Sequence, residues 1–305
     1  MRNNIWAVEM RPKRKTDVIA EGLSLVLPVY NEQQEVVSCI ENLHNILVQT
    51  EIPYEVIVVD DGSTDRTSQL LESIENIKVV RHKKNIGYGA AIKTGMQVSQ
   101  YEWICITDAD GTYPNEKIPE MVAKVRHYDM VVGARVGKQA NIPLIRRPAK
   151  WVLSKIANYL AQQKIPDLNS GLRVFHKRIA WRFLNILPNT FSFTTTITLA
   201  MMSNNYHVLF VPIDYHPRSG ISKIRPIHDT INFLQLIIRT ILYFDPLRIF
   251  LPVGFGLILA ASVLFILRLI QGDGYGVTIP MFVLAGIQVL AIGMLADLFD
   301  KRIKS

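Results

Sequence analysis

The chain has 305 residues, with 34 Lys and Arg against 26 Asp and Glu for a net charge of +8, and 49% of it is apolar. That apolar content excludes a disordered chain. The two cysteines, Cys39 and Cys105, lie outside any CxxC or metal-ligand spacing, which excludes a disulfide-built domain. Both read as small buried hydrophobes, in a protein that does not need an oxidising compartment to fold.

Residues 1–20 are a basic tail without the apolar stretch of a secretory signal; contact with anionic lipid and plain solvation both fit it. From residue 21 to about 225 apolar runs of strand length alternate with helical periodicity. Leu23–Pro28, Glu55–Val59, Ile77–Arg81, Trp103–Thr107 and Asp129–Gly133 read as strands. Helices are expected over Glu32–Leu47, from near Arg66 with Ser63 or Thr64 as its cap, and over Gly87–Val98. Uninterrupted apolar strands alternating with helices predict an α/β domain, Rossmann-like, with a mainly parallel sheet covered on both faces. Ligands bind such sheets beyond the carboxyl ends of the strands.

Residues 226–245 follow. Ile227, Ile231, Leu234, Ile238 and Ile241 recur at helical spacing, as an interfacial amphipathic helix or an ordinary surface helix would have them. Residues 246–305 carry two apolar runs, Leu247–Ile270 and Thr278–Phe299, each of about twenty residues and long enough for a ~30 Å hydrocarbon slab. Gly254, Gly256, Gly286 and Gly293 suit close approach of two helices in lipid. Lys301, Arg302 and Lys304 after the second run and Arg248 before the first predict that both chain ends and the soluble domain face the cytoplasm. The two spans are nearly neutral, so the positive surplus belongs to the first 245 residues and the C-terminal tail. A basic domain on a membrane face suits anionic small molecules and phospholipid headgroups. No zinc, helix-turn-helix or RNA-binding pattern points to nucleic acid.

The informative polar residues fall after strands. Asp108 and Asp110 flank Ala109, and alternation along a strand would aim both carboxylates one way. Two hard oxygen ligands suit Mg²⁺ or Mn²⁺ on a nucleotide phosphate, while a turn or helix cap uses the same residues. Asp60 and Asp61 follow another strand, where a carboxylate can accept from a nucleobase or ribose hydroxyl and Gly62 lets backbone approach a ligand. Pro28, Tyr30 and Glu32 follow the first strand. Gly87-Tyr88-Gly89 lacks the GxGxxG pattern and reads as tight packing or a pocket lip. The histidines show no ligand spacing and read as core or surface residues.

Taken together, PVYNE, VVDDGSTD, NIGYGAA and DADGTYP over residues 28–114 resemble the nucleotide-sugar half of the family 2 inverting glycosyltransferases of the GT-A fold. DMVVGAR, DLNSGLRVF, FSFTTTITLA, VPIDYHPRSGISKI and the two apolar runs resemble its polyprenyl-phosphate branch, which includes dolichyl-phosphate mannose synthase and undecaprenyl-phosphate glucosyl- and aminoarabinosyl-type transferases. The resemblance implies that Pro28, Tyr30 and Glu32 line a base and ribose pocket, with Asp60 and Asp61 near the base edge. It implies that Asp108 and Asp110 hold Mg²⁺ or Mn²⁺ on the donor diphosphate, with Ala109 alongside. It puts Arg218, Ser222 and Lys223 on a loop closing over that diphosphate. Arg135 would grip the lipid phosphate, helped by Ser154, Lys150 and Arg147; the lysine cannot make an arginine's bidentate fork. Asp167 would orient Arg173 or a sugar hydroxyl, or form an ion pair. Thr196 stands where relatives place an acid, so no general base is assigned.

The expected reaction is metal-dependent inverting transfer of one hexose, from GDP-mannose or UDP-glucose, to a polyisoprenyl phosphate at the cytoplasmic membrane face. Two other readings remain. One is transfer to a lipid hydroxyl such as diacylglycerol, which needs a base that the sequence does not offer; the other is a scaffold that binds nucleotide sugar without turnover. A homo-oligomer is compatible with all three.

Overall fold

The structure, a computed structural model, describes residues 22–136, 165–214, 238–239, 242–243, 245–272, 274 and 276–304, the last five of these as helical backbone. Among them are seven strands: β1 (Leu23–Val29), β2 (Tyr54–Asp60), β3 (Lys78–Arg81), β4 (Trp103–Ile106), β5 (Met130–Arg135), β6 (Arg173–His176) and β7 (Val208–Ile213). They form one sheet in the order β3-β2-β1-β4-β6-β5-β7. The neighbours β3–β2, β2–β1, β1–β4 and β5–β7 run parallel, and β6 runs antiparallel to both β4 and β5. The sheet is therefore mainly parallel, as expected, with one reversed strand that the periodicity did not announce.

Every residue of β1 is buried, because helices cover both faces. One face carries Leu23, Leu25, Leu27, Val56, Val58 and Val174, packed against α1 (Val36–Leu47) and α4 (Ile118–Lys124). The other carries Val26, Ile57, Ile106, Val132 and Phe175, packed against α3 (Tyr88–Val98) and α6 (Phe193–Ser203). Two short helices, α2 (Thr67–Glu72) and α5 (Lys177–Arg182), complete the described domain. Pro28 sits in a central strand without breaking it. Val29 turns its carbonyl to β2, where Asp61 N donates to it at 2.8 Å. Pro28 therefore faces the β4 side, where pairing has already stopped at Val26–Ile106 and no donor is needed.

Helix α1 starts later than the periodicity suggested. Asn31 has φ +56°, and a turn through Glu32–Glu35 precedes the first helical residue, Val36. The expected cap of α2 is also corrected. Ser63 Oγ accepts from Asn31 N and the Thr64 side chain bonds Asn31, while Asp65 Oδ1 accepts from Thr67 N at 2.9 Å at the head of α2. Ser63 and Thr64 thus tie two strand-end loops together instead of capping the helix.

The C-terminal part contains α7 (Leu247–Gln271) and α8 (Thr278–Lys304), packed against each other. A Cβ on Gly286 would lie 3.0 Å from the Gly254 carbonyl oxygen, so small residues allow the backbones to meet. Both helices are long and apolar enough to cross a membrane. Their outward side chains are apolar too, with Phe255 60%, Leu259 65% and Ile270 77% exposed, unlike a core helix of a water-soluble domain. The expected interfacial helix at 226–245 lies largely outside the described residues.

Candidate active site

One row of paired residues crosses most of the sheet: Ile57, Val26, Ile106, Arg173, Val132 and Phe210. Just past that row, at one edge, the chain leaves β1 at Val29, β2 at Asp60, β4 at Ile106 and β5 at Arg135. Because β6 is reversed, the segment entering it, including Asp167 and Gly171, reaches the same edge. Asp108 follows β4 and Arg135 ends β5, strands separated only by β6 and so roughly 10 Å apart at the usual spacing of about 4.8 Å per strand.

The strand ends at Ile106, so Asp108 and Asp110 lie beyond its pleat, where alternation no longer sets their direction. Thr112 donates from its backbone N and its hydroxyl to Asp110 Oδ1. Both carboxylates act on the Cys39 thiol beneath them: burial first, then the charges of Asp110, Asp108, Glu35 and Glu32, push it up to about 12. Cys39 is thereby a neutral packing residue, as the sequence suggested, and Cys105 is pushed to about 12 by burial.

Asp108 is bonded by Tyr88 and overlain closely by Gly171. Tyr88 Oη donates to its Oδ1 at 3.0 Å, and a Cβ on Gly171 would lie 2.9 Å from each of its oxygens. Gly171 N in turn donates to Tyr113 Oη at 2.7 Å. The donor set fits a hard divalent cation: two carboxylates follow one strand at the sheet edge, and the glycine at 171 keeps side-chain atoms off the Asp108 oxygens.

Asp60 and Asp61 are buried and committed to protein partners. Ser63 N, Ser68 Oγ and the Arg81 guanidinium meet Asp60. Burial alone would raise that carboxyl, but the hydrogen bonds from Ser63 and Ser68 and the Arg81 charge outweigh it and leave it below its ordinary value. Asp61 Oδ1 meets His82 Nδ1 at 2.7 Å and accepts from Ile86 N at 3.0 Å, and Oδ2 accepts from Gly87 N at 2.8 Å. His82 Nε2 also meets Thr94 Oγ1 at 2.9 Å, a bridging role that no spacing rule revealed. Gly62, with φ +74°, allows close approach to the Lys84 backbone, whose carbonyl carbon would be 2.5 Å from a Cβ. Tyr30 is 40% exposed at the same edge, with Glu32 N bonded to Thr67 Oγ1.

Arg135 closes on Asp167. Its Nε and Nη2 donate to the two carboxylate oxygens at 2.6 and 2.9 Å, and its backbone N donates at 3.1 Å. Burial raises the Asp167 carboxyl, but Arg135 and Asn169 N lower it more, so it lies below its ordinary value. Of the roles open to Asp167, the structure therefore shows an ion pair with Arg135, and Arg173 is oriented differently. Arg173 is fully buried and donates to the carbonyls of Ser170 and Thr194 and to Thr198 Oγ1, with burial lowering its guanidinium to about 10. Arg147, Lys150, Ser154, Arg218, Ser222 and Lys223 lie outside the described residues.

A family model described as Glycosyl transferase family 2 matches residues 24–184. The low-salt glycan biosynthesis hexosyltransferase of Haloferax volcanii is 29% identical over 293 residues, covering 90% of this chain and 68% of that one. An undecaprenyl-phosphate 4-deoxy-4-formamido-L-arabinose transferase of Pseudomonas fluorescens is 30% identical over 304 residues, with 90% and 83% covered. A dolichyl-phosphate hexose transferase, also of H. volcanii, is 27% identical over 213 residues, with 69% and 90% covered. The structure of glucosyl-3-phosphoglycerate synthase from Mycobacterium tuberculosis with Mn²⁺, UDP and phosphoglyceric acid superposes with a TM-score of 0.57 at 16% identity, covering 72% of this chain and 78% of that one. This likeness is one of fold, and it bears out the GT-A-type sheet expected from the motifs. With the motif order, the sheet and the family match in agreement, the chain belongs to glycosyl transferase family 2.

Proposed function

We propose that this glycosyltransferase moves a single hexose from a nucleotide sugar, GDP-mannose or UDP-glucose, to a polyisoprenyl phosphate at the cytoplasmic face of a membrane that α7 and α8 span. One observation carries the reading. The Asp108–Asp110 pair and Arg135 emerge at the same sheet edge, two strand spacings apart, in a chain that ends in an apolar helical hairpin. Relatives named for polyprenyl-phosphate acceptors support the choice of acceptor.

In this reading Pro28, Tyr30 and Glu32 line the base and ribose, and Asp60 and Asp61 act by pinning the 63–68 and 82–87 loops that wall that pocket. Asp108 and Asp110 hold Mg²⁺ or Mn²⁺, which when bound supplies positive charge to the donor diphosphate. Arg218, Ser222 and Lys223 contribute further positive charge and hydrogen bonds there. Arg135 binds the acceptor phosphate, with Arg147, Lys150 and Ser154, and Asp167 fixes the angle at which Arg135 meets it.

The chemistry needs no general base. A phosphate monoester with a second pKa of about 6 is largely ionised near neutrality. One of its oxygens forms the new bond to sugar C1 as the bond from C1 to the nucleotide diphosphate breaks on the opposite face. The configuration inverts, the electron pair leaves with the diphosphate, and no proton moves. What the protein must do is bring two anions together and stabilise charge on the leaving group, which preorganised cations accomplish.

The test incubates membranes bearing the full chain with labelled nucleotide sugars and a short prenyl phosphate. Metal-dependent formation of a lipid-extractable sugar that mild acid releases is expected. An acid-stable glycolipid would replace the phosphate acceptor with a hydroxyl, and nucleotide-sugar binding with no transfer would make the protein a scaffold.

A further inference from the structure

The GYG segment, read from sequence as tight packing or a pocket lip, contains a residue that reaches Asp108. Tyr88 is the first residue of α3, and its hydroxyl spans to Asp108 Oδ1 at 3.0 Å. Its ring lies nearly parallel to that of Phe191, with centroids 5.1 Å apart and 22° between the planes. Phe191 is 79% exposed, yet its mount is firmly built. Asn189 O accepts from Ala90 N at 3.2 Å, and Lys93 Nζ donates to Leu187 O and, at 2.9 Å, to Asn189 Oδ1. A large apolar ring on a fixed loop, with most of its surface in water, stacks on the tyrosine that bonds Asp108.

We propose that Tyr88 is a positioning residue for Asp108 and that Phe191 braces it. The glycine at 171 leaves the Asp108 oxygens clear of side-chain atoms, and the phenol hydroxyl engages Oδ1, so the oxygen that Asp108 presents is set before a cation arrives. Stacking on Phe191 fixes the ring plane and thereby the direction of the hydroxyl. Groups that orient metal ligands through hydrogen bonds commonly change metal affinity by about ten- to a hundredfold when removed. This inference rests on the reading of Asp108 and Asp110 as the cation-holding pair.

The experiment measures Mn²⁺ binding to the detergent-solubilised full chain by the paramagnetic resonance signal of free Mn²⁺, alone and with UDP or GDP. Tyr88→Phe removes only the hydroxyl, and Phe191→Leu keeps an apolar group but loses the stack. Tyr88→Phe is expected to weaken Mn²⁺ binding about tenfold with the melting temperature little changed, and Phe191→Leu about threefold. The double variant should match Tyr88→Phe, because the brace acts only through the hydroxyl. Unchanged Mn²⁺ affinity in a folded Tyr88→Phe protein, or additive losses in the double variant, would overturn the inference while leaving the metal reading intact. Failure of the unaltered chain to bind Mn²⁺, or undiminished binding by Asp110→Ala, would overturn both.

Discussion

Arg135 and Asp167 meet edge to edge, guanidinium Nε and Nη2 against the two carboxylate oxygens at 2.6 and 2.9 Å, across the gap between the end of β5 and the approach to β6. The pairing leaves the guanidinium one preferred direction. Asp167→Ala is expected to raise KM for the prenyl phosphate about tenfold while KM for the nucleotide sugar stays within twofold, as loss of a charged hydrogen-bonding partner would do. Steady-state kinetics with each substrate varied in turn checks this.

The same ion pair sets an acid limit. The Asp167 and Asp60 carboxyls both lie below their ordinary value in the folded protein. Their contribution to stability is therefore complete above the unfolded value of about 4 and is lost as pH falls through the lower folded value. Denaturant titrations of the solubilised chain from pH 7 down to pH 3 should show stability dropping below about pH 4, and Asp167→Asn should make that drop shallower.

Removing a cation ligand should separate chemistry from folding. Asp110→Ala is expected to lower transfer at least ~10³-fold with an unchanged circular dichroism spectrum, the size of effect seen when a main electrostatic stabiliser is lost. Thr112 is fully buried and would lose the acceptor of both its backbone N and its hydroxyl, so Asp110→Asn, which keeps an acceptor oxygen there, serves as the folding control. Transfer that persists in Asp110→Ala with metal chelated would remove the pair from the reaction.

Two buried polar residues one turn apart should respond in opposite ways. Arg173→Leu removes the donors to Ser170 O, Thr194 O and Thr198 Oγ1; the last two keep their bond to each other, so Ser170 O is the acceptor most affected, and the change is expected to cost about 2 kcal/mol. Ser170 Oγ is buried with no hydrogen-bond partner among the described residues, so Ser170→Ala should be neutral or stabilise by about 1 kcal/mol. Chemical denaturation of the two variants decides it.

Gly62 offers a purely conformational test. A side chain there would combine φ +74° with a contact 2.5 Å from the Lys84 backbone, so Gly62→Ala should cost about 2–4 kcal/mol. Because Asp61 ties Ile86 and Gly87 to the same loop, nucleotide affinity should fall along with the melting temperature.

Much of the fold was legible because burial on two faces leaves a direct trace in the sequence. LSLVLPV and YEVIVVD contain runs that only a covered parallel strand accommodates, and both are strands of this sheet. β6 was not legible, since RVFH is four residues long and begins with an arginine, which periodicity assigns to solvent. Its burial depends on acceptors at Ser170, Thr194 and Thr198 that only the folded chain assembles. β7 was hidden inside a segment noted for its motif residues. At the site, the carboxylate pairs stood out by type and position after strands, and Arg135 entered only through the family resemblance. Tyr88, Asp167 as partner of Arg135, and His82 between Asp61 and Thr94 did not, because each acts through a contact far along the chain.

The reversal of β6 has a consequence for the connection that joins it to β5. Val132 pairs with Arg173, and Gly133 N bonds Leu172 O, so the chain departs from β5 and returns to β6 at neighbouring points on one rim. For two points held together in this way, the entropic cost of the chain that joins them rises by only about 0.6 kcal/mol for each doubling of its length. The Gly133–Leu172 bond and the Arg135–Asp167 pair are thus anchors for both ends of the connection, and they hold the rim in place independently of how many residues lie between them.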